Sequence, residues 1–224
     1  MIKLGAADVA RHDSQQRARI LEAAVRVFAD RGLKGATIRR VGQAAGVNSA
    51  LLYYYFDNKD ALFTEAVTMV LQEFLAHLRA RRHPFRGARE RLQFLVDGVF
   101  DYYARHPDRM RLMWQAVSSH PDLFGRALNR IVAGNDLVPL DVISEGMQKG
   151  ELRTLHPVEA WWSIVGMCLF SLQVRDVIRH VSHASIPKPS GSPEERKGQI
   201  LELLLKGFAA GHDMKKIVKR RNRT

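Results

Sequence analysis

A chain of 224 residues, 46% hydrophobic and 26% charged, has room for a small module of about 50 residues plus a core-forming domain of about 150, and its composition excludes a disordered protein. The net charge of +12 favours a polyanionic partner, nucleic acid first and acidic membrane second. One cysteine, Cys168, excludes an intramolecular disulfide and suits a cytoplasmic protein. The opening MIKLGAADVARHD lacks the apolar stretch of a secretory signal. The uncharged run between Glu159 and Arg175 is shorter than the roughly 20 residues of a membrane span and reads as a buried helix, so no membrane partner is expected.

Helical periodicity dominates and no alternating strand pattern stands out, which predicts an all-α chain. A first helix is expected over residues 14–30, capped by Asp13 with Gln16 three residues on, its apolar stripe formed by Ile20, Leu21, Ala24 and Phe28. Gly32 stands where a left-handed stop is wanted. Thr37 caps a short helix ending at Ala45, and Ala45-Gly46-Val47 makes a tight turn. Asn48 caps a third helix ending near Phe56, and Asn58 a long fourth one reaching about Arg82. A fifth is expected over residues 88–105. The pairs His106-Pro107, His120-Pro121 and His156-Pro157 each mark a boundary, with proline in a first helical turn. Gly150 closes a helix near Met147, and residues 186–193, with three prolines, read as a linker. Ser192-Pro193-Glu194-Glu195 then starts the last helix. The arginines 79, 81, 82, 86, 89 and 91 read as a solvated face. His180 and His183 have ligand spacing, but no cysteine or carboxylate lies within the next helical turn, so no metal is expected.

Two short helices joined by Ala-Gly-Val within the first 60 residues suggest a helix-turn-helix. At about 100° per residue, Leu52 and Phe56 share the core face of the second helix. Opposite them lie Tyr54, then Ala50 and Leu51, with Tyr53 and Tyr55 on the flanks. Phenol hydroxyls donate to phosphates while their rings pack on sugars and thymine methyls, and Ala50 lets the backbone approach the groove floor. Asn48 and Ser49 stand at the amino end, where free backbone N–H groups favour phosphate; Thr37 and Lys59 are placed for the same task.

The runs Thr37-Ile38-Arg39-Arg40-Val41-Gly42-Gln43-Ala44-Ala45-Gly46-Val47-Asn48 and Leu52-Tyr53-Tyr54-Tyr55-Phe56-Asp57-Asn58-Lys59-Asp60-Ala61-Leu62 resemble the signature of the TetR/AcrR family of transcriptional regulators, a likeness that begins at Ile20 and covers about 50 residues. The resemblance implies DNA contacts at Thr37, Asn48, Ser49, Ala50, Tyr53, Tyr54 and Lys59. Leu51, where the family commonly has a small or polar residue, and Tyr55, where it commonly has histidine, bear on which bases are read. It also implies that the last two helices form a four-helix interface in a homodimer, which would draw on Phe170, Ile200, Leu203, Leu204 and Phe208. An effector pocket in the middle bundle would draw on Phe94, Tyr103, Met110, Met113, Trp114, Phe124, Trp161, Trp162 and Met167, aromatic and thioether side chains that are core by default.

The expected organisation is an N-terminal arm (1–13), a helix-turn-helix DNA-binding domain (14–62), a helical effector-binding and dimerisation domain (63–213) and a basic tail (214–224) that reads as disordered. The expected function is a ligand-responsive repressor binding double-stranded operator DNA and a small-molecule effector, cytoplasmic and nucleoid-associated when bound, with no cofactor. Two rival readings are an all-helical enzyme and a non-specific basic DNA-binding protein. No HExxH, GxSxG, phosphate-cradling glycine loop or recognisable paired carboxylates supports the enzyme.

Overall fold

The computed structural model describes residues 6–134, 137–179 and 192–208. Ten α-helices occupy them: α1 (Ala6–Gly35), α2 (Ile38–Ala45), α3 (Ser49–Tyr55), α4 (Lys59–Arg81), α5 (Ala88–Arg105), α6 (Pro107–Ser119), α7 (Pro121–Ala133), α8 (Val138–Gln148), α9 (Pro157–Arg179) and α10 (Pro193–Phe208). The expected punctuation operates at most boundaries. Pro107, Pro121 and Pro157 open their helices, and the Ser192 hydroxyl accepts from Glu195 N at 3.3 Å. Gly150, at φ 69°, ends the turn after α8 by donating to the Met147 carbonyl at 3.0 Å. The basic tail, His180, His183 and most of the proline linker lie outside the described residues.

The start of α1 departs from expectation. The helix is already formed at Ala6, so Asp13 lies inside it and caps nothing. Residues 6–11, AADVAR, include two good helix formers, Ala and Arg, and no Gly or Pro occurs between Ala6 and Arg31 to stop the helix. Gly32 adopts φ 66° and ψ 169° and kinks the last turn, a backbone state that costs glycine little.

The chain divides into two compact units. The first comprises Met1–Ala76 and Arg105–Asp136, so α6 and α7 join the helix-turn-helix. Its core holds Ile20, Val25, Phe28, Leu52, Leu62 and Phe63, all fully buried, with the Phe28 and Phe63 rings edge to face at 5.1 Å. Arg109 on α6 binds Glu22 of α1 at 2.8 Å and Glu73 of α4 at 2.7 Å. Gln115 donates to the Ala29 carbonyl at 3.1 Å, holding α6 to the end of α1.

The second unit comprises His77–Ala104 and Leu137–Thr224. Arg91, expected on a solvated face, is instead wholly buried. Its Nε donates to Glu151 at 2.5 Å and its Nη1 to Glu145 and to the Val142 carbonyl, each at 3.3 Å, while the guanidinium lies 5.1 Å above the Phe85 ring. Gly146 makes room for it: a Cβ there would sit 2.9 Å from Arg91 Cδ and 2.8 Å from Leu152 Cδ1. On α10, Lys197 binds Asp101 of α5 at 2.8 Å. Helix α9 buries one stripe, Ala160, Ile164, Cys168 and Ser171. Burial, and secondarily the Asp97 charge, pushes the Cys168 thiol up to about 12. Among the described residues no helix is long and apolar enough to cross a membrane, and no three His, Cys, Asp or Glu side chains are grouped to hold a metal ion.

Candidate nucleic-acid interface

Helices α2 and α3 are short, so caps and core contacts must hold them. The Thr37 hydroxyl accepts from Arg40 N at 3.2 Å, and Asn48 Oδ1 accepts from Leu51 N at 2.9 Å. Each cap spends one acceptor position. The Thr37 O–H and the Asn48 Nδ2–H groups keep their donor capacity. Gly46 turns the chain between the helices at φ 69° and ψ 35°, and its N–H closes α2 onto Gln43 and Gly42.

The two faces of α3 fall as the helical phase predicts. Leu52 is 0% and Phe56 3% exposed, whereas Tyr54 is 76% and Tyr53 59% exposed. Ala50 is exposed, and Ser49 and Leu51 are half-buried at the rim. Lys59 Nζ donates to the Ala36 carbonyl at 3.3 Å, which places this cation beside Thr37 at the amino end of α2. The surface is a tyrosine-faced helix whose amino end presents hydrogen-bond donors, with a second set of donors and a lysine nearby.

Three features escaped the sequence reading. Arg39 and Arg40 lie exposed in the first turn of α2, which holds no acidic residue. A helix amino end disfavours cations, so two arginines there run against the helix dipole, a signal legible in the sequence. Asp13, misread as a cap, accepts a hydrogen bond from the Tyr55 hydroxyl at 2.5 Å. Arg17, one turn further on α1, lies 5.3 Å over the Phe56 ring and pairs with Glu65 at 2.8 Å. The last two contacts join residues about 40 positions apart, and no local pattern announces them.

The expected effector residues are not gathered in one unit. Met110, Met113, Trp114 and Phe124 belong to the first unit, and Phe94, Tyr103, Trp161, Trp162 and Met167 to the second. Phe94, Tyr103, Met113 and Phe124 are buried, Met110, Trp161 and Met167 half-buried, and Trp114 and Trp162 exposed. Phe94 packs on Phe85 at 5.2 Å. Ile200 and Leu204, expected at a subunit interface, are buried within the chain itself at 1% exposure each, because α10 turns that edge of its wide apolar stripe inward. Phe170 and Leu203 remain exposed at 59% each, and Phe208 is half-buried.

Two short helices in this arrangement define a helix-turn-helix DNA-binding module. Comparison with known proteins is concordant along the chain. Residues 20–66 match the profile "Bacterial regulatory proteins, tetR family", and residues 89–202 match "Tetracyclin repressor-like, C-terminal domain". The HTH-type transcriptional repressor SCO4008 of Streptomyces coelicolor is 32% identical over 167 residues, covering 70% of this chain and 82% of that protein. The HTH-type transcriptional repressor NicS of Pseudomonas putida is 28% identical over 165 residues, covering 72% and 77%. Among solved structures, the transcriptional regulator FadR from Bacillus subtilis in complex with stearoyl-CoA shares the fold with a TM-score of 0.68 at 21% identity, covering 85% of this chain and 98% of that one. The chain belongs to the TetR family of bacterial transcriptional regulators.

Proposed function

We propose that the protein is a cytoplasmic repressor, without enzymatic activity, whose homodimer sets two copies of α3 in successive major grooves of a near-palindromic operator. The observation that carries this reading is the division of α3: a sealed Leu52/Phe56 face against an exposed Tyr53/Tyr54 face. In this assignment Tyr53, Tyr54, Ala50 and Leu51 meet the groove, while Thr37, Asn48, Ser49 and Lys59 meet phosphates. Arg39 joins the phosphate set.

The dimer face is the second stripe of α9. Trp162, Gly166, Phe170, Gln173 and Val177 recur at helical spacing on the side opposite the buried stripe, and all are exposed. A helix that buries one stripe and exposes large apolar side chains such as Phe170 and Val177 on the other side gains from covering that second side. Leu203 on α10 extends the same kind of surface; of the expected interface set Phe170, Ile200, Leu203, Leu204 and Phe208, Phe170 and Leu203 stay in this face, whereas Ile200 and Leu204 are buried within the chain. Closed twofold symmetry then spaces the recognition helices one DNA turn, about 34 Å, apart.

An effector of largely apolar character, held in the helical region beyond the helix-turn-helix, would release the operator by binding the non-operator conformation more tightly. The aromatic and methionine content between Phe94 and Phe170 supports this. Two solved structures of the same fold are complexes with acyl-CoA thioesters: FadR with stearoyl-CoA, and AibR with isovaleryl coenzyme A and operator DNA (TM-score 0.61, 19% identity). An acyl chain of this kind is therefore the first class to test.

The test is selection of bound duplexes from a random-sequence pool, followed by titration of the selected operator against random DNA with and without a panel of acyl thioesters. Selection of a near-palindrome with two half-sites and its release by one ligand class are expected. Equal affinity for every duplex would leave only the non-specific basic protein.

A further inference from the structure

We propose that Asp13 is a positioning residue for operator specificity: through Tyr55 it fixes the aromatic end of α3 in the orientation that presents Tyr54. The inference rests on the reading of Tyr54 as a DNA contact and adds a residue outside the helix-turn-helix.

Helix α3 has seven residues, two turns, and its two ends are secured differently. Asn48 caps the amino end with a side-chain hydrogen bond, whereas Phe56 closes the carboxyl end through its own N–H to the Leu52 carbonyl. The aromatic end is held from α1 instead. Asp13 and Arg17 stand four residues apart, on one face of that helix, and grip two successive side chains: the carboxylate accepts from the Tyr55 hydroxyl at 2.5 Å, and the guanidinium covers the Phe56 ring at 5.3 Å. The first distance lies in the range of a charge-assisted O–H···O⁻ bond.

The grip passes from Tyr55 to Tyr54. Their rings meet edge to face at 5.1 Å and 77°, so the torsions of the exposed Tyr54 are limited by a neighbour that is itself tied down. A side chain ordered before binding loses less freedom when it meets DNA. The charge of Asp13 argues the same way. A carboxylate beside a DNA-reading helix repels phosphate, so raw attraction for DNA does not explain it. A fixed acceptor for Tyr55 does, and the repulsion falls on every duplex alike while the ordered Tyr54 rewards only the right one. The bond also occupies the Tyr55 hydroxyl, which removes this tyrosine from the phosphate-contacting set.

The experiment compares Tyr55→Phe, Asp13→Ala, Asp13→Asn, the Asp13→Ala/Tyr55→Phe double variant and Tyr54→Ala with the parent in the full-length chain. Each is titrated with the duplex that the parent selects from a random pool, and with a random duplex of equal length. Tyr55→Phe should weaken binding to the selected duplex about 3- to 10-fold, the scale of one pre-ordered side chain, and leave random-duplex binding unchanged. Asp13→Ala should reduce the preference for the selected duplex to the same degree, the double variant should be no worse than Tyr55→Phe, and Asp13→Asn, which keeps an acceptor oxygen, should restore the preference. If Tyr55→Phe binds the selected duplex like the parent while Tyr54→Ala does not, the positioning role falls and the reading of Tyr54 stands. Equal loss on both duplexes means that the hydroxyl contacts phosphate or that the module has loosened, and overturns the proposal. If Tyr54→Ala also binds like the parent, the underlying reading of α3 fails.

Discussion

Leu52→Ala and Tyr54→Ala, two residues apart on α3, should separate folding from recognition. Leu52 has no solvent exposure, and its loss to alanine removes three carbons, worth about 2.4 kcal/mol at roughly 0.8 kcal/mol per buried methylene. The cavity left between α2 and α3 adds to this, since Leu52 Cδ1 already lies only 3.5 Å from the Cβ position of Gly42, and about 3–4 kcal/mol is expected in all. For a chain of this size that corresponds to a fall in Tm of roughly 6–16 °C. Tyr54 is 76% exposed, so its alanine variant should melt within about 0.5 kcal/mol of the parent yet bind the operator about 5- to 150-fold more weakly, the equivalent of about 1–3 kcal/mol. Thermal melts followed by circular dichroism, and operator titrations at fixed salt, read the two effects separately. If Leu52→Ala melts like the parent and Tyr54→Ala collapses, the faces of α3 are inverted.

Removing the buried guanidinium by Arg91→Ala should cost about 3 kcal/mol, near the low end for a broken buried pair because Glu145 and Glu151 keep some solvent; a chemical denaturation midpoint equal to the parent's would refute the assignment. Phe170→Glu combined with Leu203→Glu should yield monomers, whereas a double variant that still sediments as a dimer rules out this face. The hydrogen bond to Asp13, with burial and the Asp13 and Tyr54 charges behind it, pushes the Tyr55 phenol from 10.0 up to about 12. Its stabilising contribution is therefore whole below pH 10 and is lost as the pH rises through 12. Ultraviolet titration should show Tyr55 among the late-ionising phenols, beside Tyr103, which burial also raises; Asp13→Ala should return one late phenol toward 10, and an unchanged curve would refute the link.

Local chemistry made much of this fold legible. Prolines at 107, 121 and 157, the caps Asn48, Asn58 and Ser192, and the positive-φ glycines act within one helical turn, and their residue types announce them. The division of α3 was equally accessible, because a fixed angle per residue separates Leu52 from Tyr54. What stayed hidden depends on partners distant in the chain. Asp13 has the residue type and spacing of a cap, but its partner is 42 positions away. Arg91 differs in no local respect from its arginine neighbours, and only the converging carboxylates of α8 and the following turn single it out. On α10, apolar residues surround so much of the helix that their pattern does not say which edge turns inward. The aromatic residues expected at a pocket carry the same ambiguity, since core and cavity walls use the same side chains.

Cys168 gives the molecule a built-in clock. A lone thiol with no solvent access, held in its unreactive protonated form, meets a thiol reagent only when the helices around it part. Labelling under native conditions would therefore time the opening of the second unit, with no signal from the DNA-reading helices and no engineered probe. A compound that slows the clock without consuming the reagent stabilises this half of the chain against opening, whether or not its effect on DNA has been measured.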